Sequence, residues 1–458
     1  MSTELKDAID FGSMEIPRLF RKLLVPTLLG MVFSAAFVIT DGIFVGKGIG
    51  SDALAAVNIT APVFMLTTGL GLMFGLGGSV IASIHLSHGK VKVARIITTQ
   101  SIAVSSLIMV VMSFFVCLFA PEVSSLLGAS ERLEPLAAEY MYWYVPFLVF
   151  SSLLVSGSFF VRLDGAPKFS MWCTVIPAVL NMILDYLFIF PFGWGMMGAA
   201  LASSLGTIVG GVMILVYLWG RAKTVRFIRI KRSWKSFRLT CRNVGYMCKL
   251  GVSSFLCEGT IAYMMLIGNY VFISHLGEDG VASFSIACYF FPIIFMVYNA
   301  IGQSAQPILS YNMGAGLMPR VKAARRLAFQ SAVGFGSVFC LFTWLFRHQI
   351  VGMFIDTAYP AYGFASDGLP LFAIGFIFFA VNIVSIVYFQ SMERPVVATW
   401  ITVMRGFVFM TLSFLTLPHL AGTPGIWLSV PLAESLTFLL VVFIFAGQRL
   451  RQRHRCCA

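Results

Sequence analysis

The sequence is poor in charge. Only 11% of its 458 residues are Asp, Glu, Lys or Arg, 59% are hydrophobic, and the mean hydropathy is +0.89. An ordinary soluble domain carries roughly a quarter of its residues as charges, so that class is excluded. No cleaved leader is expected from the first residues: 1–16 are polar and mildly acidic, and the first apolar stretch is already full length. Cysteine is sparse and unpatterned, nine residues with no paired spacing suited to zinc. Cys117, Cys173, Cys257, Cys288 and Cys340 fall in apolar stretches and read as small hydrophobes. Cys456 and Cys457 follow a basic stretch, where an ordinary tail is expected in preference to lipidation. No nucleophile stands with a plausible base, so the chain is not expected to be an enzyme, and no cofactor is implied.

What is present is long apolar runs. A helix crossing a bilayer needs roughly 20 mainly apolar residues, because lipid offers no partner for backbone amides and carbonyls. Twelve such runs can be drawn, near 23–46, 59–84, 94–120, 142–161, 169–191 and 197–219, then 250–274, 282–311, 327–354, 371–391, 397–418 and 425–446. They imply a cytoplasmic tail (1–22), a six-helix lobe (23–219), a basic linker (220–249), a second six-helix lobe (250–446) and a cytoplasmic tail (447–458). The charges test the count. Of 32 Lys and Arg, 28 fall in the two tails and the even-to-odd loops, which places both ends in the cytoplasm and requires an even number of spans. Lys47, Arg132 and Arg347 fall on the other side, and Arg405 within span eleven. The net charge of +13 is thereby explained without nucleic acid, and the ten cations between Arg221 and Lys249 read as topology plus anionic headgroups.

The runs also repeat. An offset of 227 lays Gly50 on Gly277, Asp52 on Asp279, Gly75 on Gly302 and Gly89 on Gly316. An offset of 230 then joins Lys92 to Lys322 and Gln100 to Gln330, and one of 228 joins Pro167 to Pro395 and Trp172 to Trp400. Two similar membrane bundles in one chain are the usual plan of a secondary transporter.

Several motifs fail on inspection. Gly42 to Gly48 is one residue short of a phosphate loop and lacks its Ser or Thr. Gly69, Gly71, Gly75, Gly77 and Gly78 follow no strand and read as close helix packing. His85 and His88 read as snorkelling to headgroups. Four acids remain at membrane depth: Asp41, Asp185, Glu258 and Glu434. Each must face a partner or a wet cavity. Glu434 reads as a neutral, hydrogen-bonded structural carboxyl, and Asp41 and Asp185 as functional. Asn181 lies one turn before Asp185 on the same face. Pro26 and Gly30 interrupt span one, so a deformable helix carries a titratable residue.

Three stretches resemble the multidrug and toxic compound extrusion (MATE) transporters. They are Thr40-Asp41-Gly-Ile-Phe-Val-Gly46, Asn181-Met-Ile-Leu-Asp185-Tyr-Leu-Phe-Ile-Phe190 (similar to DinF-like and MepA-like members), and Gly302-Gln-Ser-Ala-Gln306-Pro307 through Gly316. The resemblance implies an all-α membrane protein of twelve helices in two six-helix repeats. It would be a monomer in the bacterial plasma (inner) membrane, exporting cationic amphipathic compounds against inward H+, with Na+ the alternative. By that likeness Asp41, Asn181 and Asp185 form the coupling site. Glu258 matches a seventh-span acid of NorM-like members, whose tenth-span Asp is replaced here by Asn382 and Gln390. A Na+ ion would sit at Asp41, Asp185 or Glu258. The competing readings are a lipid-linked precursor flippase, which calls for basic residues in its cavity, and a passive channel.

Overall fold

The computed structural model describes residues 9–230 and 233–457, with side chains described as far as residue 448. The lipidation reading of Cys456 and Cys457 lies outside the described side chains. Every apolar run is helical, as backbone satisfaction in lipid demands, and no strand occurs among the described residues.

Nine helices are each long and apolar enough to cross a membrane, among the described residues. Pro360–Ala373 and Gly375–Ser391, bent by 43°, together make a tenth span. Two of the nine are too long to be single spans. Trp234–Gly314 has 81 residues, about 120 Å at 1.5 Å per residue, and breaks at Gly277 (φ 67°, ψ −155°). Pro395–Gln448 has 54 residues and breaks at Gly422 (φ 61°, ψ −141°). Dividing both gives twelve.

The repeat is written into the backbone as well. Left-handed residues recur at matching offsets: Gly50 with Gly277, Gly89 with Gly316 and Gly195 with Gly422 at 227, and Gly165 with Glu393 at 228. Glu393 is the only non-glycine with positive φ among the described residues. It occupies a turn that the first half fills with glycine, the residue without a Cβ penalty there.

The chain divides into two compact units. The first takes in the chain up to Glu258, together with Gln303–Ala324 and Ser391–Glu393; the second takes in Gly259–Gly302, Arg325–Gln390 and the chain from Arg394 onward. Within the first unit the helix Ile16–Gly48 packs on Pro167–Ile189, which packs on Gly195–Val216. The glycine-rich helix Ser51–Ser87 is pressed from several sides. A methyl at Gly77 would overlap the Met247 carbonyl, and one at Gly75 would lie 2.7 Å from the Ser156 Cα. The sequence reading of these glycines as close packing sites therefore holds.

The segment before span one is docked. Phe11 is buried and its ring lies 5.8 Å from Tyr311. The Phe11 carbonyl accepts from Asn312 Nδ2 (3.0 Å) and Arg320 Nη2 (3.1 Å), and the Met14 carbonyl from Arg320 (2.6 Å). Asp10 caps the turn, and the Ser13 hydroxyl and Gly12 amide donated to its carboxylate hold its pKa below the usual aspartate value.

Candidate functional site

Three helices bring the amino-half residues together. Ile16–Gly48 carries Asp41 near its end, Pro167–Ile189 carries Asn181 and Asp185 one turn apart, and Gly195–Val216 carries Ser203. Close contact of the last two depends on Gly206, where a Cβ would lie 3.1 Å from the Pro177 carbonyl. Asp185 and Asn181 are 0% and 2% exposed. Asn181 Nδ2 donates to Ser203 Oγ at 3.2 Å, leaving its Oδ1 without a donor. The carboxyls of Asp41 and Asp185 face each other.

Neither oxygen of Asp185, nor Oδ1 of Asp41, has a hydrogen-bond donor. Two ionised carboxylates are acceptors only and repel; a proton shared between them, or a cation beside them, removes the repulsion. The arrangement can therefore hold one or the other. Asp41 also lines a cavity of about 400 Å³ whose wall includes Phe37, Phe64, Tyr140, Tyr144 and Asn181. Tyr140 and Tyr144, a turn apart on Glu134–Tyr144, form an aromatic group with Phe64, the Phe64–Tyr144 centroids lying 4.8 Å apart edge to face. Aromatic faces beside a carboxylate suit an organic cation.

In the second unit, Glu434 is fully buried and bound by two side chains. Arg405 Nε donates to Oε1 at 2.7 Å, and Asn382 Nδ2 donates to Oε2 at 2.7 Å. The Arg405 guanidinium lies over the Phe379 ring, 4.5 Å from its centroid.

The MatE family model matches residues 26–187 and 259–415. The chain belongs to the MatE family. It is similar to the multidrug export protein MepA of Staphylococcus aureus strain MSSA476, 24% identical over 430 residues, 92% of this chain and 91% of the relative. MepA of Staphylococcus saprophyticus is 25% identical over 431 residues with the same shares. Among solved structures, the outward-facing conformation of a multidrug resistance MATE family transporter of the MOP superfamily superposes with a TM-score of 0.87. It is 20% identical, over 96% of this chain and 97% of that one. A MOP superfamily transporter from Pyrococcus furiosus, described as having a binding pocket of reverse polarity, also gives 0.87 at 21% identity and 96% of both chains. MatE membership makes this a multi-pass transporter and not an enzyme, on the twelve-helix, two-repeat plan.

Of the residues expected to act in this MatE chain, Asp41, Asn181 and Asp185 come together. Glu258 does not join them: it is half-buried on Trp234–Gly314 and does not line the cavity. Pro26 and Gly30 are buried on an unbroken helix, with Gly30 against Thr174 of Pro167–Ile189. One reading is corrected. Glu434 is buried and hydrogen-bonded as expected, but as the ion-pair partner of Arg405 and not as a neutral carboxyl, because both point into one dry interior where each compensates the other. Asn382 is the second partner of Glu434, its amide donating to the carboxylate and to the Glu434 carbonyl. Tyr140, Tyr144 and Ser203 escaped sequence reading, since aromatic and small polar residues are common in spans; the i, i+4 tyrosines were the available signal.

Proposed function

We propose that this MatE transporter is a multidrug efflux antiporter. It exports cationic, amphipathic compounds in exchange for H+, with Na+ as the alternative ion, by alternating access in the bacterial inner membrane. The observation that carries the reading is the Asp41–Asp185 pair, short of donors, with Asp41 on the wall of an aromatic-lined cavity. Drug and coupling ion compete there: a carboxylate attracts the cation and a protonated carboxyl does not. In the Na+ alternative, the carboxylates and Asn181 Oδ1 supply hard oxygen ligands. Asn181 orients the pair, and Pro26 permits span one to bend when Asp41 is neutralised. The chain works as a monomer, with both termini cytoplasmic and six helices (23–219 and 250–446) in each lobe. The names of the MepA relatives support drug substrates. Efflux from proteoliposomes under separately imposed H+ and Na+ gradients tests the reading. Flux that ignores both gradients would mark a passive channel.

The flippase alternative is disfavoured by one observation. Arg162 and Arg405 are the buried cations among the described residues, and neither lines the cavity.

A further inference from the structure

The repeat relates the buried carboxy-half cluster to the amino-half cavity. The 228 offset lays Asn382 on Leu154 and Arg405 on Pro177. An offset of 227, which matches Gly425-Ile-Trp-Leu428 to Gly198-Ala-Ala-Leu201, lays Glu434 on Thr207. Leu154, Pro177 and Thr207 all line the cavity of about 400 Å³. The three positions that border open space in one half thus carry an amide, a guanidinium and a carboxylate in the other.

The guanidinium there is held as an organic cation would be. It has a carboxylate at 2.7 Å, an aromatic face 4.5 Å away, and an amide that fixes the carboxylate from its far oxygen. Tyr298 buttresses that ring edge to face at 5.3 Å. The backbone is shaped for the purpose. Met404–Val408 is a π-helical turn inserted between α-helical stretches, a form that is frequent at functional sites. Beside Arg405, Gly406 meets Thr260 so closely that a methyl would overlap its side chain, which clamps the turn. The cluster is also not saturated: Arg405 Nη1 and Asn382 Oδ1 lack partners.

We propose that the carboxy-terminal half contains a cation-binding site whose occupant is tethered. The Arg405 guanidinium fills a pocket formed by Glu434, Asn382 and the Phe379 face, and that pocket accepts free guanidinium-class cations once the tether is removed. The assignment stands whether or not the Asp41–Asp185 pair couples transport. It leaves the carboxy half of the native protein with no exchangeable ion at Glu434.

The test is chemical rescue of the full-length protein, with methylguanidinium as the probe. Arg405→Ala leaves a buried carboxylate unpaired, and its melting temperature should fall by roughly 5–10 °C. Millimolar methylguanidinium should restore most of that loss saturably, as a ligand of the folded state does. It should leave wild type and Arg405→Lys unmoved. The double variant Arg405→Ala/Glu434→Gln should show no saturable response, because the anion that holds the cation is gone. Equal stabilisation of the double variant, or no recovery of Arg405→Ala, would overturn the site. Should Arg405→Ala not survive purification, its membrane level in cells grown with methylguanidinium is read instead. Recovery dependent on Glu434 supports the tethered site, and its absence refutes it.

Discussion

In the amino-terminal half, Asp41 and Asp185 face each other beside an open cavity, and neither Asp185 oxygen nor Oδ1 of Asp41 has a donor. In the carboxy-terminal half, Glu434 is closed in by Arg405 and Asn382. The scaffold is the same, down to the left-handed turns at Gly50 and Gly277 and at Gly195 and Gly422. The difference is therefore one of side chains and not of fold. An acid pair without a counter-charge must exchange protons or cations with its surroundings, whereas an acid with an internal guanidinium has no such need. A duplicated bundle can thus keep its packing in both halves while only one half retains an exchangeable charge.

The comparison breaks most readily at Asp185. Asp185→Asn should reduce gradient-driven efflux to background with membrane expression intact, and normal efflux in that variant would remove the acid pair from the mechanism. Asp41→Asn comes next. Wild-type substrate affinity should rise between about pH 6 and about pH 8, because deprotonation restores the charge that attracts the cation, whereas affinity in Asp41→Asn should be weak and flat. A pH-independent wild type would return Asp41 to a structural role. Glu258→Gln should do less damage than either, since Glu258 does not line the cavity that Asp41 borders. A fully inactive Glu258→Gln with Na+-dependent efflux would transfer the coupling ion to span seven.

Smaller effects sharpen the picture. Pro26→Ala should keep substrate affinity and its pH dependence but turn over several-fold more slowly, since bending span one then breaks a restored backbone hydrogen bond of about 1 kcal/mol. Asn181→Ala, losing the bond to Ser203, should cost up to about tenfold in efflux rate without abolishing it. The pH profile of that variant separates orientation from proton carriage, because an orienting residue leaves it in place.

Much of this was legible before any coordinates. Apolar runs of bilayer length can only be helices, and the asymmetry of Lys and Arg forces an even number of them. Asn181 and Asp185 share a face because four residues make about one turn. Asp41 stood out because an acid is costly at that depth. Other features were hidden for equally physical reasons. Tyr140 and Tyr144 become site residues only because the helix Glu134–Tyr144 turns them toward Asp41. Arg162 belongs by position to the loop between spans four and five, yet it is buried, bonded to Gln303 at 2.9 Å and stacked over Phe159.

The sequence by itself determined the class of molecule, the number of crossings, the duplication and the identity of the costly charges. These follow from local rules: hydropathy, helical period and the desolvation of ions. Which charges meet was decided only by tertiary structure. Arg405 and Glu434 are 29 residues apart, and Asn382 is 52 from Glu434, on three different spans. No periodicity relates such positions. Their pairing depends on how helices rotate and on where a π-turn shifts the register by one residue. Because a bare carboxylate and a paired one differ by several kcal/mol in a dry interior, that rotation decided which acid is closed off and which remains open to exchange.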